Sequence, residues 1–265
     1  MKIKRFGWVP DIPDKRDWRY KKLFLVKPTL TIPKIVNWKG KYTSKIVDQG
    51  ELGSCTGCAL QGMLEFIQIR NRKLGLSTIP FAYLSRHFIY YGERELEDSI
   101  DYDSGAYIRD GIKVLNKIGV CSENKCPYDV NRFTEKPSDI AYTEALKHTV
   151  SSYYRLDTLD DMRHCIADGY PFVFGFTVYE SFMSDTVANT GIVPMPVNEN
   201  VKENVIGGHA VMAVGYDDTV KKFNIRNSWG TEWGREGYFT MDYDYLTNRD
   251  LSDDFWTVRS FTAWA

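Results

Sequence analysis

The chain reads as an α+β protein, with helices in its front half, strands behind them and an extended arm at its start. Three observations lead there. Apolar residues recur near the helical period over 55–73, 81–96 and 106–118, and again over the shorter stretch 158–168. β-Branched and aromatic residues then crowd four segments punctuated by Gly and Asp: 171–178, 209–217, 221–229 and 237–242. Residues 1–33 carry Pro10, Pro13, Pro28 and Pro33 with little periodicity, so they cannot bury a core alone.

In chain order, the arm has one apolar patch, Leu23–Leu25 with Val26, as a candidate anchor. Gly53 and Ser54 form a turn and an expected cap before the first helix, in which Leu60, Leu64, Phe66 and Ile67 recur near the helical period. The second helix follows Pro80, and the third stops at Gly119, a residue suited to a left-handed helix end. No internal repeat or low-complexity tract interrupts this order. The expected organisation is an arm over 1–33 and one domain over 34–265, helical over about 45–145, β-rich over about 146–245, with a C-terminal segment 246–265.

Bulk properties exclude some functions. A net charge of −1 argues against nucleic acid as a main partner. No run approaches the ~18 apolar residues of a membrane span. The start, MKIKRFGWVP, is basic with no apolar stretch behind it in the manner of a secretory signal. The expectation is an intracellular, viral or nonclassically exported protein. Five cysteines (Cys55, Cys58, Cys121, Cys126 and Cys165) are too sparse for a disulfide scaffold, and the odd number leaves at least one free thiol. Charge is unevenly spread: residues 1–30 hold nine basic and three acidic side chains, so an arm of +6 precedes a body of −7. A basic arm on an acidic body suggests self-docking, either across a cleft as a short pro-segment or as a structural belt.

The chemistry begins at Gln49-Gly50-Glu51-Leu52-Gly53-Ser54-Cys55. Here a cysteine opens a helix, where unpaired N–H groups and a partial positive charge favour the thiolate, the nucleophilic form. A thiolate needs a partner that stabilises it and later protonates a leaving group, and His is the usual choice. Of four histidines, His87, His148 and His164 lie in helical, charged surroundings and read as structural or surface residues. His209 follows Gly207-Gly208 and begins the strand-like run AVMAVGYD, at the edge of a rigid sheet with an open approach. Asn227, in Asn-Ser-Trp-Gly, is the candidate to fix the imidazole, with Trp229 placed to cover that hydrogen bond.

The three blocks QGELGSC, GGHAVMAVGYDD and NSWGTEWGREGYF, in this order, resemble the papain family of cysteine peptidases over about residues 35–260. GWVPDIPDKRDWRY and DSGAYIRDGIKVL bring the likeness closest to its bacterial or viral members. The resemblance implies a papain-like two-lobe fold, a helical left lobe and a β-barrel right lobe with the active-site cleft between. It implies Cys55 as nucleophile, His209 as base partner, Asn227 as orienter, and Gln49 with the Cys55 N–H as oxyanion donors. It also implies Gly105 and Ala106 as the backbone that pairs with substrate, and Tyr107, Gly175 and Gly208 around the pocket for the second residue before the cut. Protein or peptide substrates follow, with no cofactor or metal and a need for reductant.

Two positions depart from the family pattern. Leu52 stands where a disulfide half is usual, and Thr56 where an aromatic covers the helix start. The Cys55–His209 separation of 154 residues implies extra loop near 92–103 and 193–206. Three other functions use the same residues differently: a papain-fold acyl transferase or transamidase, an inactive homologue that only binds, and a redox protein built on Cys55-x-x-Cys58. The redox reading leaves the His and Asn blocks unexplained. Endo- against exopeptidase turns on whether 181–206 blocks one end of the cleft. Cys121 and Cys126 are either bonded locally or free.

Overall fold

The longest helix is apolar or neutral around most of its circumference, and a helix of that kind belongs inside the protein. The computed structural model, which describes residues 5–20, 32–196 and 203–262, places it there. After a short strand β1 (Ile35–Asn37), helix α1 (Cys55–Lys73) is buried continuously from Cys55 to Gln68. Its neighbours come close enough to require glycine. A Cβ on Gly57 would lie 2.7 Å from the Arg86 carbonyl oxygen, and Gly62 faces Arg226 and Met212. Helices α2 (Arg86–Leu96) and α3 (Ile108–Lys117) pack beside it, followed by the short α4 (Asp139–Ala145). Helix α2 starts five residues after the expected 81, at the Ser85 cap, whose Oγ accepts from the Phe88 N–H. Gly119 ends the third helical stretch at φ 89°, as expected.

The remaining elements are β2 (Val150–Arg155), α5 (Leu159–Ala167), β3 (Phe172–Tyr179), α6 (Asp185–Thr190), β4 (Val205–Asp217), β5 (Lys222–Arg226), β6 (Tyr238–Asp242), α7 (Tyr243–Thr247) and β7 (Ser252–Phe261). They form one antiparallel sheet in the order β2-β7-β3-β4-β5-β6, with β1 also on β4. The α+β class and the papain-like arrangement hold. Among the described residues the sheet is an open path rather than a closed barrel. The four expected strands are present. Strands β1, β2 and β7, and the short helices α4, α6 and α7, were not read from the pattern, and the 246–265 segment proves to hold an interior strand.

Two large cores flank the sheet. One gathers Phe172, Phe174, Phe176, Phe239 and Phe255 with Trp229 and Trp233; the other sets α1 and α3 against Val173, Met212, Val214 and Trp256. The aromatic richness thus fills a core, in edge-on and tilted pairs that favour ring quadrupoles. All five cysteines are buried free thiols, Cys121 and Cys126 included. No described helix is long and apolar enough to cross a membrane.

Candidate active site

Cys55 sits at the N-terminus of α1, where the helix meets the sheet. Ser54 precedes it without the side-chain cap expected from the sequence. Its Oγ instead lies 2.6 Å from the Tyr128 hydroxyl. From the sheet side, the N–H of Ala210 donates to Cys55 Sγ at 3.3 Å, which brings the residue after His209 onto the thiol. Strand register fixes the imidazole: His209 pairs with Phe176 on β3, and β5 runs along the other side of β4 and delivers Asn227 just past its end. His209 Nε2 and Asn227 Oδ1 are 2.8 Å apart. The Trp229 ring lies over the imidazole at 4.9 Å, both nearly excluded from solvent. His87 and His148 are buried elsewhere, and His164 lies on α5.

Gln49 arrives by its own short pairing. Arg226, buried behind the site, donates to the carbonyls of Ser44 and Lys45, and the Gln49 N–H donates to Ser228 O. The amide is then oriented by chemistry: the Ser228 hydroxyl donates to Oε1 at 2.7 Å, which turns Nε2 toward the cleft. Thr56 does not leave the helix start uncovered. It is fully buried and donates to Glu93 Oε2 at 2.6 Å, a polar replacement for an aromatic lid. Leu52 packs with Tyr90 and Ala106.

The arm runs through this cleft. Arg5 O accepts from Gln49 Nε2 at 3.1 Å, and the Gly7 backbone lies near enough to Cys55 Sγ to favour its thiolate. Gly7 O accepts from Ala106 N at 2.7 Å, Trp8 N donates to Gly208 O at 2.9 Å, and Val9 N donates to Ala106 O at 3.1 Å. Trp8 and Ala106 therefore form a parallel β-bridge. Close approach explains the glycines here: a Cβ on Gly7 would meet Gly53 O at 1.7 Å, and one on Gly175 would lie 1.9 Å from the Trp8 ring. Gly105, Ala106, Gly175 and Gly208 thus line the arm. The Tyr107 N–H instead bonds Glu97 Oε1, and its carbonyl starts α3.

The +6 arm is not held simply by its basic residues. Arg5 pairs with Asp103 and Arg19 with Asp157 in the expected sense. The better buried pairs run the other way, Asp17 with Arg109 at 2.8 Å and Asp11 with Arg155 at 3.4 Å. The Leu23–Val26 patch lies outside the described residues, and Tyr20 and Trp8 join the cores in its stead. With the arm in place Cys55 is wholly buried, and burial pushes its thiol up to about 12, opposite to the low value expected of an exposed helix-start thiolate. Tyr128, missed in the sequence, donates to Gln49 O at 2.7 Å as well as meeting Ser54. Its loop position after Pro127 gives no pattern from which to read that role.

A helical layer, an antiparallel sheet and a cleft at the head of the buried helix define the class as a papain-like fold. The chain belongs to the papain family of cysteine proteases, whose family model, "Papain family cysteine protease", matches residues 32–251, and it is a cysteine peptidase. It is 42% identical to an uncharacterized peptidase C1-like protein of Acanthamoeba polyphaga mimivirus, over 98% of this chain and 88% of that one. Pro-cathepsin H of Medicago truncatula is 25% identical over 80% of this chain, which spans only 58% of that protein's length. Among solved structures, xylellain, a cysteine protease from Xylella fastidiosa, superposes with a TM-score of 0.84 at 39% identity, covering 98% of this chain and 97% of that one. Procathepsin L 3 of Tenebrio molitor shares the fold at 18% identity, with a TM-score of 0.68 over 88% of this chain and 72% of that one.

Proposed function

We propose that the protein is an endopeptidase acting through Cys55, His209 and Asn227, with Gln49 Nε2 and the Cys55 N–H as oxyanion donors, and that its own arm keeps it latent. One observation supports this most: an extended peptide, the arm, already lies across Cys55. Its backbone is paired to Ala106 on one wall and Gly208 on the other. It passes the thiol on both sides, as a chain cut internally must.

In the reaction the Cys55 thiolate attacks the scissile carbonyl carbon, and the carbonyl electrons move to oxygen, where Gln49 and the Cys55 N–H stabilise them. His209 gives its proton to the leaving nitrogen, the C–N bond breaks, and a thioester remains. Water, deprotonated by His209, attacks the thioester and releases the acid and the thiol. Asn227 Oδ1 at 2.8 Å holds the ring through both halves.

The test is hydrolysis of a fluorogenic dipeptide amide with a hydrophobic penultimate residue, under reductant, by wild type and Cys55→Ala. Turnover that survives the substitution overturns the assignment. Loss in the variant, with wild type blocked by an epoxysuccinyl reagent, supports it. Product captured by an added amine in place of water would instead mark a transferase.

A further inference from the structure

The two donors proposed for the oxyanion, Gln49 Nε2 and the Cys55 N–H, stand at the two ends of one short segment, and a hydroxyl from outside that segment reaches both ends. Tyr128 Oη donates to Gln49 O at 2.7 Å and lies 2.6 Å from Ser54 Oγ. A phenol has one hydrogen and a carbonyl can only accept, so that hydrogen belongs to Gln49 and Ser54 is the donor in the second bond. With the Ser54 hydrogen spent there, the Cys58 thiol, 3.9 Å from Ser54 Oγ, is the donor in a third. The bonds run in one direction, from Cys58 to Ser54 to Tyr128 to Gln49, and in such a chain each bond polarises the next. Ser54 stands at the N-cap of α1, yet its Oγ makes no cap bond to the helix. It forgoes the contact its residue type favours and serves this chain instead.

Tyr128 is itself fixed. Its N–H donates to Glu123 Oε1 at 2.9 Å. Arg86, paired with Glu123 at 3.7 Å, lays its guanidinium 3.8 Å from the centre of the phenol ring, and His87 meets that ring edge-on at 6.0 Å. Burial raises the phenol well above its ordinary value, so the hydroxyl stays a donor through neutral pH. Ser228 holds the Gln49 amide oxygen and N–H from the sheet, while Tyr128 holds the Gln49 carbonyl from the helical side. An oxyanion is stabilised only by donors about 2.7–3.1 Å from the position it will take, so two donors must keep their spacing as well as their aim.

Resting on the peptidase reading above, we infer that Tyr128 is a positioning residue for the reaction: its hydroxyl ties the Gln49 carbonyl to Ser54, whose peptide bond carries the Cys55 N–H, and so sets the spacing of the two oxyanion donors. Tyr128 acts through Gln49 and Ser54, not on the substrate or the thiol. Its removal weakens the steps in which charge develops on a carbonyl oxygen and leaves the nucleophile itself as reactive as before.

The experiment uses the full chain and Tyr128→Phe, which keeps the ring under Arg86 and removes the hydroxyl. Three quantities are read: hydrolysis of a fluorogenic dipeptide amide, inhibition by a dipeptide aldehyde, and alkylation of Cys55 by iodoacetamide. The thiolate adds to the aldehyde carbon and the carbonyl electron pair moves to oxygen, in the position of the oxyanion. Alkylation forms the S–C bond as the C–I bond breaks and iodide leaves, and no oxyanion is made. Any change in arm opening scales aldehyde affinity and alkylation rate alike, so their ratio reports the oxyanion donors. In Tyr128→Phe, kcat and that ratio are each expected to fall about 10- to 100-fold, with KM within about twofold. Ser54→Ala breaks the chain at its other end and is expected to move both in the same direction; it carries the test if Tyr128→Phe does not fold. A kcat within about threefold of wild type, or aldehyde affinity and alkylation falling together, overturns the inference while leaving the peptidase intact. No turnover by wild type, with no labelling of Cys55 by an epoxysuccinyl reagent, overturns the peptidase reading and this with it.

Discussion

Gln49 is fixed at every polar atom. Its N–H donates to Ser228 O, its carbonyl accepts from Tyr128, and its amide oxygen accepts from Ser228 Oγ. In the oxyanion role proposed for it, a donor aimed this firmly would need no reorganisation when charge develops, which is the condition under which such donors matter most. Gln49→Ala should therefore lower kcat by roughly 10²- to 10³-fold with KM little changed, read in steady-state kinetics. Near-equal losses in kcat and 1/KM would assign it to binding instead. The four residues proposed for the site, Gln49, Cys55, His209 and Asn227, could be picked out in the sequence because each sits in a local block whose chemistry can be read alone. Tyr128 was not legible, because its contacts arise from a loop folded onto Ser54.

At the scale of elements, the missed strands share a cause. Strand β7 opens with Ser252, Asp253 and Asp254, and its acidic start hides the apolar Trp256 and Val258 that follow. Strand β1 has three residues, too few for a period to declare itself. The helices were read better because nineteen residues of α1 and a capped α2 carry several turns of signal. Burial on all sides of α1 makes its polar residues stringent. Glu93, fully buried on α2, has its carboxyl held well above the usual range by desolvation, and Thr56 is its hydrogen-bond donor across the helix pair. Thr56→Val keeps the shape and removes that donor. It should cost about 1–3 kcal/mol in urea unfolding, with the slope unchanged. A loss below about 0.5 kcal/mol would mean that Glu93 finds another partner.

For the whole molecule, the decisive unit is the arm on the body, and the acidic residues of the arm set its strength. Asp17 makes two close bonds from Arg109, at 3.0 and 2.8 Å, with both side chains largely buried. Asp17→Ala should loosen the arm and speed alkylation of Cys55 by iodoacetamide about 10- to 100-fold, since a bond between charged groups is worth roughly 1.5–3 kcal/mol. An unchanged rate would mean that Arg109 holds nothing in place.

Asp11 adds a dependence on pH. It faces Arg109, Arg155 and the indole of Trp256, with Asp254 beside it and Asp253 beyond on the shared Arg155. Burial first and then Asp254 raise its carboxyl from 3.8 to about 7, against the lowering pull of Arg109. In a released arm it is an ordinary aspartate. The docked arm therefore holds a proton more tightly than the free one. That contribution to docking is complete below the free value and fades as pH rises through the docked value, so Asp11 favours the docked arm in acid and no longer does so above the docked value. Hydrogen exchange at Trp8, Val9 and Ala106, corrected for intrinsic rates, reads this without the confounding titration of Cys55. Protection should fall between about pH 4 and 7 in wild type and stay flat over that range in Asp11→Asn, where no proton is taken up. Protection that grows with pH in wild type would show instead that the two arginines outweigh Asp254, and that Asp11 docks as a carboxylate.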